Sequence, residues 1–221
     1  MRNLMIIGIV MMCVESAWPL SYMGPSTSQM MPNRYKLGMD YSIAQTSADL
    51  SGNGIDIDDL ETDLCLARLD YGIQEKVDFC GRLGFAEIED LGNELAWGVG
   101  IKSTVMESED LNWGGLVQIT STAGSVSTLK LDMLEIQLAV APVWKVNETV
   151  SLYGGPFLHW ISGEMERLQL GQKLSFDIEQ ASLWGAYVGI ASWVTNQGEL
   201  RLEYQKTADA DALGVGVLWR F

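Results

Sequence analysis

The chain has 221 residues, 48% of them hydrophobic, with 14 Lys and Arg against 29 Asp and Glu and a net charge of −15. So acidic a surface excludes nucleic acid as a partner, because phosphates need cations. Nowhere do the apolar residues run for the roughly 18 positions that a membrane-spanning helix needs.

The longest apolar run, Leu4 to Val14, follows Met1-Arg2-Asn3 and precedes Glu15-Ser16-Ala17. A basic start, an apolar centre and small residues spell a secretory leader over residues 1–17, cut after Ser16 or Ala17. A buried N-terminal strand or helix is the competing reading. Met12 makes a poor lipobox before Cys13. Residues 18–33 hold Pro19, Gly24, Pro25 and Pro32 and show no period, so an irregular lead-in is expected.

From Arg34 onward a period of two persists, the mark of a strand with one apolar face. Tyr35, Leu37, Met39, Tyr41 and Ile43 start it, followed by Cys65 to Ile73 and Val77 to Phe85. Stretches at Leu95–Ile101, Leu111–Ile119, Leu134–Trp144, Val150–Trp160, Trp184–Ile190 and Leu200–Tyr204 continue it. The last strand carries Leu213, Val215, Val217, Trp219 and Phe221 on one face. Ten strands are therefore predicted, with eight or twelve as alternatives. Short connections fall near Glu75, Ser108, Asn147 and Gln197, and longer ones near 46–61, 87–93, 122–130 and 163–175. Acidic clusters sit in two of the longer connections, at 49–63 and 87–94, and beside the short one at Ser108.

A hairpin about residue 75 sets Cys65 opposite Phe85 and Cys80 opposite Asp70. The two thiols are then out of step and on opposite faces, too far apart for a disulfide.

Arg68-Leu69-Asp70-Tyr71-Gly72-Ile73 with Gly81-Arg82-Leu83-Gly84 resembles the hairpins of small bacterial outer-membrane β-barrel proteins. So do Ala96-Trp97-Gly98-Val99-Gly100-Ile101, Tyr153-Gly154-Gly155-Pro156-Phe157 and the ending Leu218-Trp219-Arg220-Phe221. The resemblance implies an all-β, closed, antiparallel up-and-down transmembrane barrel over residues 34–221, placed in a bacterial outer membrane. It also implies that Trp219 and Phe221 carry the signal read by the barrel-assembly machinery, and that the outer-membrane lipid is a partner. No cofactor is implied.

In such a barrel the apolar face meets lipid and the other face lines a polar lumen. The lumen charge network expected on that face is Lys36, Asp40, Arg68, Asp70, Asp78, Arg82, Lys102, Glu135, Glu199, Arg201, Glu203 and Arg220. Paired charges filling a narrow interior make a plug-like core, and the alternative is a narrow pore. His159 is the only histidine, and a tight turn about Asn147 places it opposite Glu135. That pair is the one candidate for acid–base catalysis, as in an outer-membrane lipid or peptide hydrolase. A hydrogen-bonded lumen pair is the preferred reading. Asp49, Ser51, Asn53, Asp56, Asp58, Asp59 and Glu61 partly follow a calcium loop, although Leu60 fills the twelfth position. An acidic outer loop bridged by divalent cations is the simpler expectation. The expected role is structural or a narrow pore, against an enzyme or a soluble ligand-binding barrel.

Overall fold

The computed structural model describes residues 20–51, 55–88, 92–126, 129–169, 172–179, 183–208 and 210–221. The leader expected at 1–17 lies outside these residues. Eleven strands follow in chain order: β1 (Tyr35–Ser51), β2 (Ile55–Gln74), β3 (Val77–Ile88), β4 (Gly92–Met106), β5 (Leu111–Val126), β6 (Leu129–Lys145), β7 (Val150–Gln169), β8 (Gln172–Glu179), β9 (Trp184–Trp193), β10 (Gly198–Thr207) and β11 (Ala210–Arg220).

Ten of them close a ring. Each of β1 to β7 pairs antiparallel with its successor, β7 passes to β9, and β9, β10 and β11 complete the circuit. The seam joins β1 to β11 from Lys36↔Arg220 to Thr46↔Ala210. There the rings of Tyr35 and Phe221 stack with centroids 5.7 Å apart. Closure removes every free strand edge, as hydrocarbon requires of a spanning sheet.

The eleventh strand, β8, was not expected. It stands above the short strands β9 to β11, pairing with β7 (Ser162↔Glu179 to Gln169↔Gln172) and touching β1 at Leu50↔Ile178 and Ser51↔Asp177. The wall thus has ten strands at one level and eight at that end. The long connections expected at 46–61, 87–93, 122–130 and 163–175 are mostly strand: β1 runs on to Ser51, β5 to Val126 and β7 to Gln169. Above a membrane both faces of a strand meet water. The apolar alternation then vanishes while the ladder hydrogen bonds persist, so the sequence pattern reads as loop.

The opposite end carries four tight turns and both ends of the barrel chain. Lys76, in the first of these turns, lies 2.8 Å from Glu107. Their hydrogen bond and opposite charges raise the lysine pKa. The turn after β6 is longer than expected. Asn147 Oδ1 accepts the N–H groups of Thr149 and Val150, both at 2.8 Å, which spreads the turn over five positions.

Outward positions are apolar and exposed, and inward positions are buried, charged or polar on one side of the wall and largely apolar on the other. So continuous an exposed apolar band excludes a soluble barrel whose apolar face is internal. Tyr35, Tyr71, Trp113, Trp144, Trp219 and Phe221 ring the turn end, and Phe85, Trp97, Trp160 and Trp184 form a second exposed girdle. Amphipathic rings in two belts around an apolar band suit the two interfaces of a bilayer. Cys65 faces outward and Cys80 inward, both as free thiols, with the expected partners Phe85 and Asp70.

An arginine at Ile101, mid-band on β4, is expected to destabilise the barrel by about 2–4 kcal/mol, and one at Val105, near the turn end, by about 0–1 kcal/mol. Urea unfolding in lipid vesicles checks this gradient. Equal effects would remove the bilayer reading of the apolar band.

Candidate functional site

The lumen wall has two chemically distinct halves. One is charged and is built by β1, β2, β3, β4 and β10. Lys36 Nζ meets Glu199 Oε2 at 2.8 Å, and Arg201 Nε meets Glu199 Oε1 at 2.9 Å. Arg68 joins Asp40 at 3.0 Å and Asp70 at 2.8 Å, and Arg82 Nε lies 3.2 Å from the same Asp40 oxygen. All of these groups are buried. Buried charges are tolerated when paired, and Arg201 Nη1, 4.0 Å from Asp70 Oδ2, links the two groups of pairs.

The other half is apolar, built by β5, β6, β7 and β9. Leu116, Ala139, Ala141, Val143, Tyr153, Phe157, Tyr187 and Ala191 cluster there. Into the space between the halves runs the lead-in. Residues 20–27 are buried, and the segment leaves the turn end only at Met31 and Pro32. Asn33 N–H donates to Gly72 O at 2.9 Å at that mouth. The irregular segment expected at 18–33 is therefore, over its described part, the filling of the barrel.

Its main chain makes no ladder, so its polar groups need partners from the wall. Ser21 N–H donates to Glu135 Oε1 at 3.1 Å. Met23 and Gly24 N–H donate to the two oxygens of Glu203, each at 2.8 Å. Ser28 N–H donates to Thr104 Oγ1 at 3.0 Å, and Gln29 N–H to Asp78 Oδ2 at 2.6 Å. In return, Gln205 donates to Ser21 O at 2.9 Å and Lys102 to Met23 O at 3.1 Å. Hydrogen bonds with an ionised partner are stronger than neutral ones. Each of these carboxylates is compensated in part by the segment itself.

The side chains sort between the two halves. Leu20 and Met23 join the apolar cluster. Tyr22 lies between Tyr153, its hydroxyl 3.2 Å from the partner hydroxyl, and Arg68, whose guanidinium sits 5.7 Å from the Tyr22 ring centroid. The wall makes room by lacking side chains along the route. A Cβ at Gly114 would stand 2.7 Å from Thr27 Cα, one at Gly72 2.2 Å from Met31 O, and one at Gly214 2.6 Å from the Tyr22 ring. Gly24 itself needs its left-handed φ of 73°.

His159 is opposite Gln137, not Glu135, because the longer turn at Asn147 moves the register by two residues. The same inward face still brings the pair together, with Nε2 3.0 Å from Glu135 Oε1. The alignment falls short of a hydrogen bond, and neither ring nitrogen makes one. Both side chains are buried, and the cavity lined by Glu135, Thr120 and Met133 holds about 10 Å³. That is room for one water and none for a substrate.

Arg220 lies outside the lumen network. It is exposed at the turn end, its guanidinium 4.4 Å over the Trp193 ring. Trp219 and Phe221 are exposed at the same rim. Of the calcium-loop candidates, Glu61 is exposed, Asn53 lies outside the described residues, and nothing is described of the side chains of Asp49, Ser51, Asp56, Asp58 and Asp59. Among the described residues no group of three His, Cys, Asp or Glu side chains could hold a metal.

The chain matches no family model and no curated protein. Among solved structures, it is similar to the attachment invasion locus protein Ail of Yersinia pestis. The identity is 15%, the coverage 86% of this chain and 100% of that one, and the TM-score 0.43. The outer membrane protease OmpT of Escherichia coli shows 7% identity, 88% and 99% coverage and a TM-score of 0.47. The outer membrane protein AlkL shows 10% identity, 94% and 97% coverage and a TM-score of 0.46. The closed ring, the outward apolar band and the two aromatic girdles define the class themselves: a small transmembrane β-barrel of the outer-membrane type. Within that class its particular mark is a lumen occupied by its own N-terminal segment.

Replacing Arg68 with Met leaves Asp40 and Asp70 short of their main partner in a buried site, and a loss of about 3–5 kcal/mol is expected. Replacing Lys36 with Met costs less, since Glu199 keeps Arg201. Comparing the two by urea unfolding in vesicles checks the order, and the reverse order would refute the network as drawn.

Proposed function

We propose that this protein is a bacterial outer-membrane barrel held closed by residues 20–30, with a structural role and no open pore. The observation that carries the reading is the burial of that segment across the lumen, with its main chain bonded to Glu135, Glu203, Asp78 and Lys102. The end with tight turns and both barrel termini then faces the periplasm, and the strand extensions face outward, the arrangement usual for such barrels.

Trp219 and Phe221 close the chain as the signal for barrel assembly, and lipid surrounds the apolar band. The acidic stretch from Asp49 to Glu61 falls on the outer side, where divalent cations would bridge it to anionic lipid. An enzyme built on His159 and Glu135 is disfavoured by the burial of both side chains and by the 10 Å³ cavity beside Glu135.

Planar-bilayer recording tests the closed state. The wild-type barrel is expected to be silent. Gly114→Val puts a side chain where Thr27 now runs, so it is expected to displace the segment and give stepwise conductance. Gly115→Val, one residue along and with only Ala139 O within 4 Å of the new Cβ, is the control and should stay silent. A conducting wild type, or a silent Gly114→Val barrel shown by heat-modifiable mobility to be folded, would overturn the reading.

A further inference from the structure

We propose that the lumen is a binding site for an irregular peptide segment, and that residues 20–29 are its resident, replaceable ligand. The inference rests on the closed-barrel reading above and adds a ligand class to it.

Three observations point to this ligand. First, the wall reads a main chain. Five N–H groups of the segment, those of Ser21, Met23, Gly24, Ser28 and Gln29, go to wall side chains. Its Ser21 and Met23 carbonyls receive wall donors. Any peptide that can take the left-handed bend found at Gly24 presents these groups. Glu203 takes two successive N–H groups with its two oxygens, a fork that fits a backbone and no single side chain of the segment.

Second, side-chain selection is confined to a short stretch. Leu20 and Met23 enter the apolar half, and Tyr22 turns to Tyr153 and Arg68. The peptide that fits has two apolar side chains three positions apart with an aromatic between them. Third, the wall is clear of side chains along the same path, at Gly72, Gly114 and Gly214. These glycines lie on β2, β5 and β11, so the channel for a backbone is a property of the whole wall.

The segment is joined to the barrel only through the exposed Met31 and Pro32 and the turn at Asn33. Cutting there leaves the site intact and its ligand free to exchange. The test uses the full chain, folded first, with a protease site inserted between Met31 and Pro32. After cleavage in detergent, the barrel is mixed with a fluorescent synthetic peptide of residues 20–31, and binding is read by anisotropy.

The labelled peptide is expected to replace the resident segment. N-methylation at Met23 and Gly24 removes both donors to Glu203, and a loss of affinity of about tenfold or more is expected. A peptide with Leu20→Asp and Met23→Asp is expected not to bind. No exchange, or undiminished binding of the N-methylated peptide, would overturn the proposal.

A second measurement keeps the two readings apart. Ser21 Oγ and Thr120 Oγ1 are 3.1 Å apart. In a Cys65→Ala, Cys80→Ala background, Ser21→Cys with Thr120→Cys should form a disulfide in the uncut chain. Its absence would sink the closed barrel and the peptide site together. Its presence without exchange would sink the peptide site alone.

Discussion

A ten-stranded ring encloses more space than its own side chains fill, and that constraint shapes the rest of this molecule. Eight strands leave an interior that side chains just occupy, and two more widen it. The remaining space here is that of one extended chain, and the N-terminal segment takes it. Filling a lumen with backbone brings an obligation that filling it with side chains does not. Every main-chain N–H and C=O removed from water needs a partner. Glu135, Glu203, Asp78, Thr104, Lys102 and Gln205 face inward to supply them.

The division of the wall into halves follows from the same need. A lumen charged all round would strand the side chains of Leu20 and Met23 against ions, and one apolar all round would strand the main chain. With the ions on β1 to β4 and β10 and the apolar cluster on β5, β6, β7 and β9, one irregular segment satisfies both. The ionic side is held chiefly by pairs internal to the wall, such as Lys36–Glu199 and Arg68–Asp70. Those paired charges therefore keep partners without the segment, whereas Asp78 and Lys102 bond to it and Glu203 takes from it two of its three hydrogen bonds among the described residues.

The wall was legible in the sequence because period two is set by geometry that every strand shares. Cys65 opposite Phe85 followed from counting outward from a turn about residue 75, and the ladder has that register because it shifts by one between Gly72 and Gln74. Counting failed for His159 by two residues, because the side chain of Asn147 lengthens its turn and no periodicity reports turn length. The extensions of β1, β5 and β7 and the strand β8 were illegible for another reason: with both faces solvated, nothing in their residue types alternates. Least legible was residues 20–30. Proline and glycine marked the segment as irregular, and irregular segments are ordinarily surface loops. The one trace of its true place was negative, in inward glycines at 72, 114 and 214 whose purpose only the third dimension shows.

Topology ties the segment to closure of the ring. It leads directly into β1, and β1 forms the seam with the last strand, β11. The glycines that clear a place for the Tyr22 ring, Gly214 and Gly216, lie on β11. Glu203, the fork that holds Met23 and Gly24, lies on β10. The first residues of the barrel thus complete their surroundings with its last hairpin. A segment present before the seam closes is enclosed as β10 and β11 dock, and the same step that removes the last free strand edge completes its hydrogen bonds.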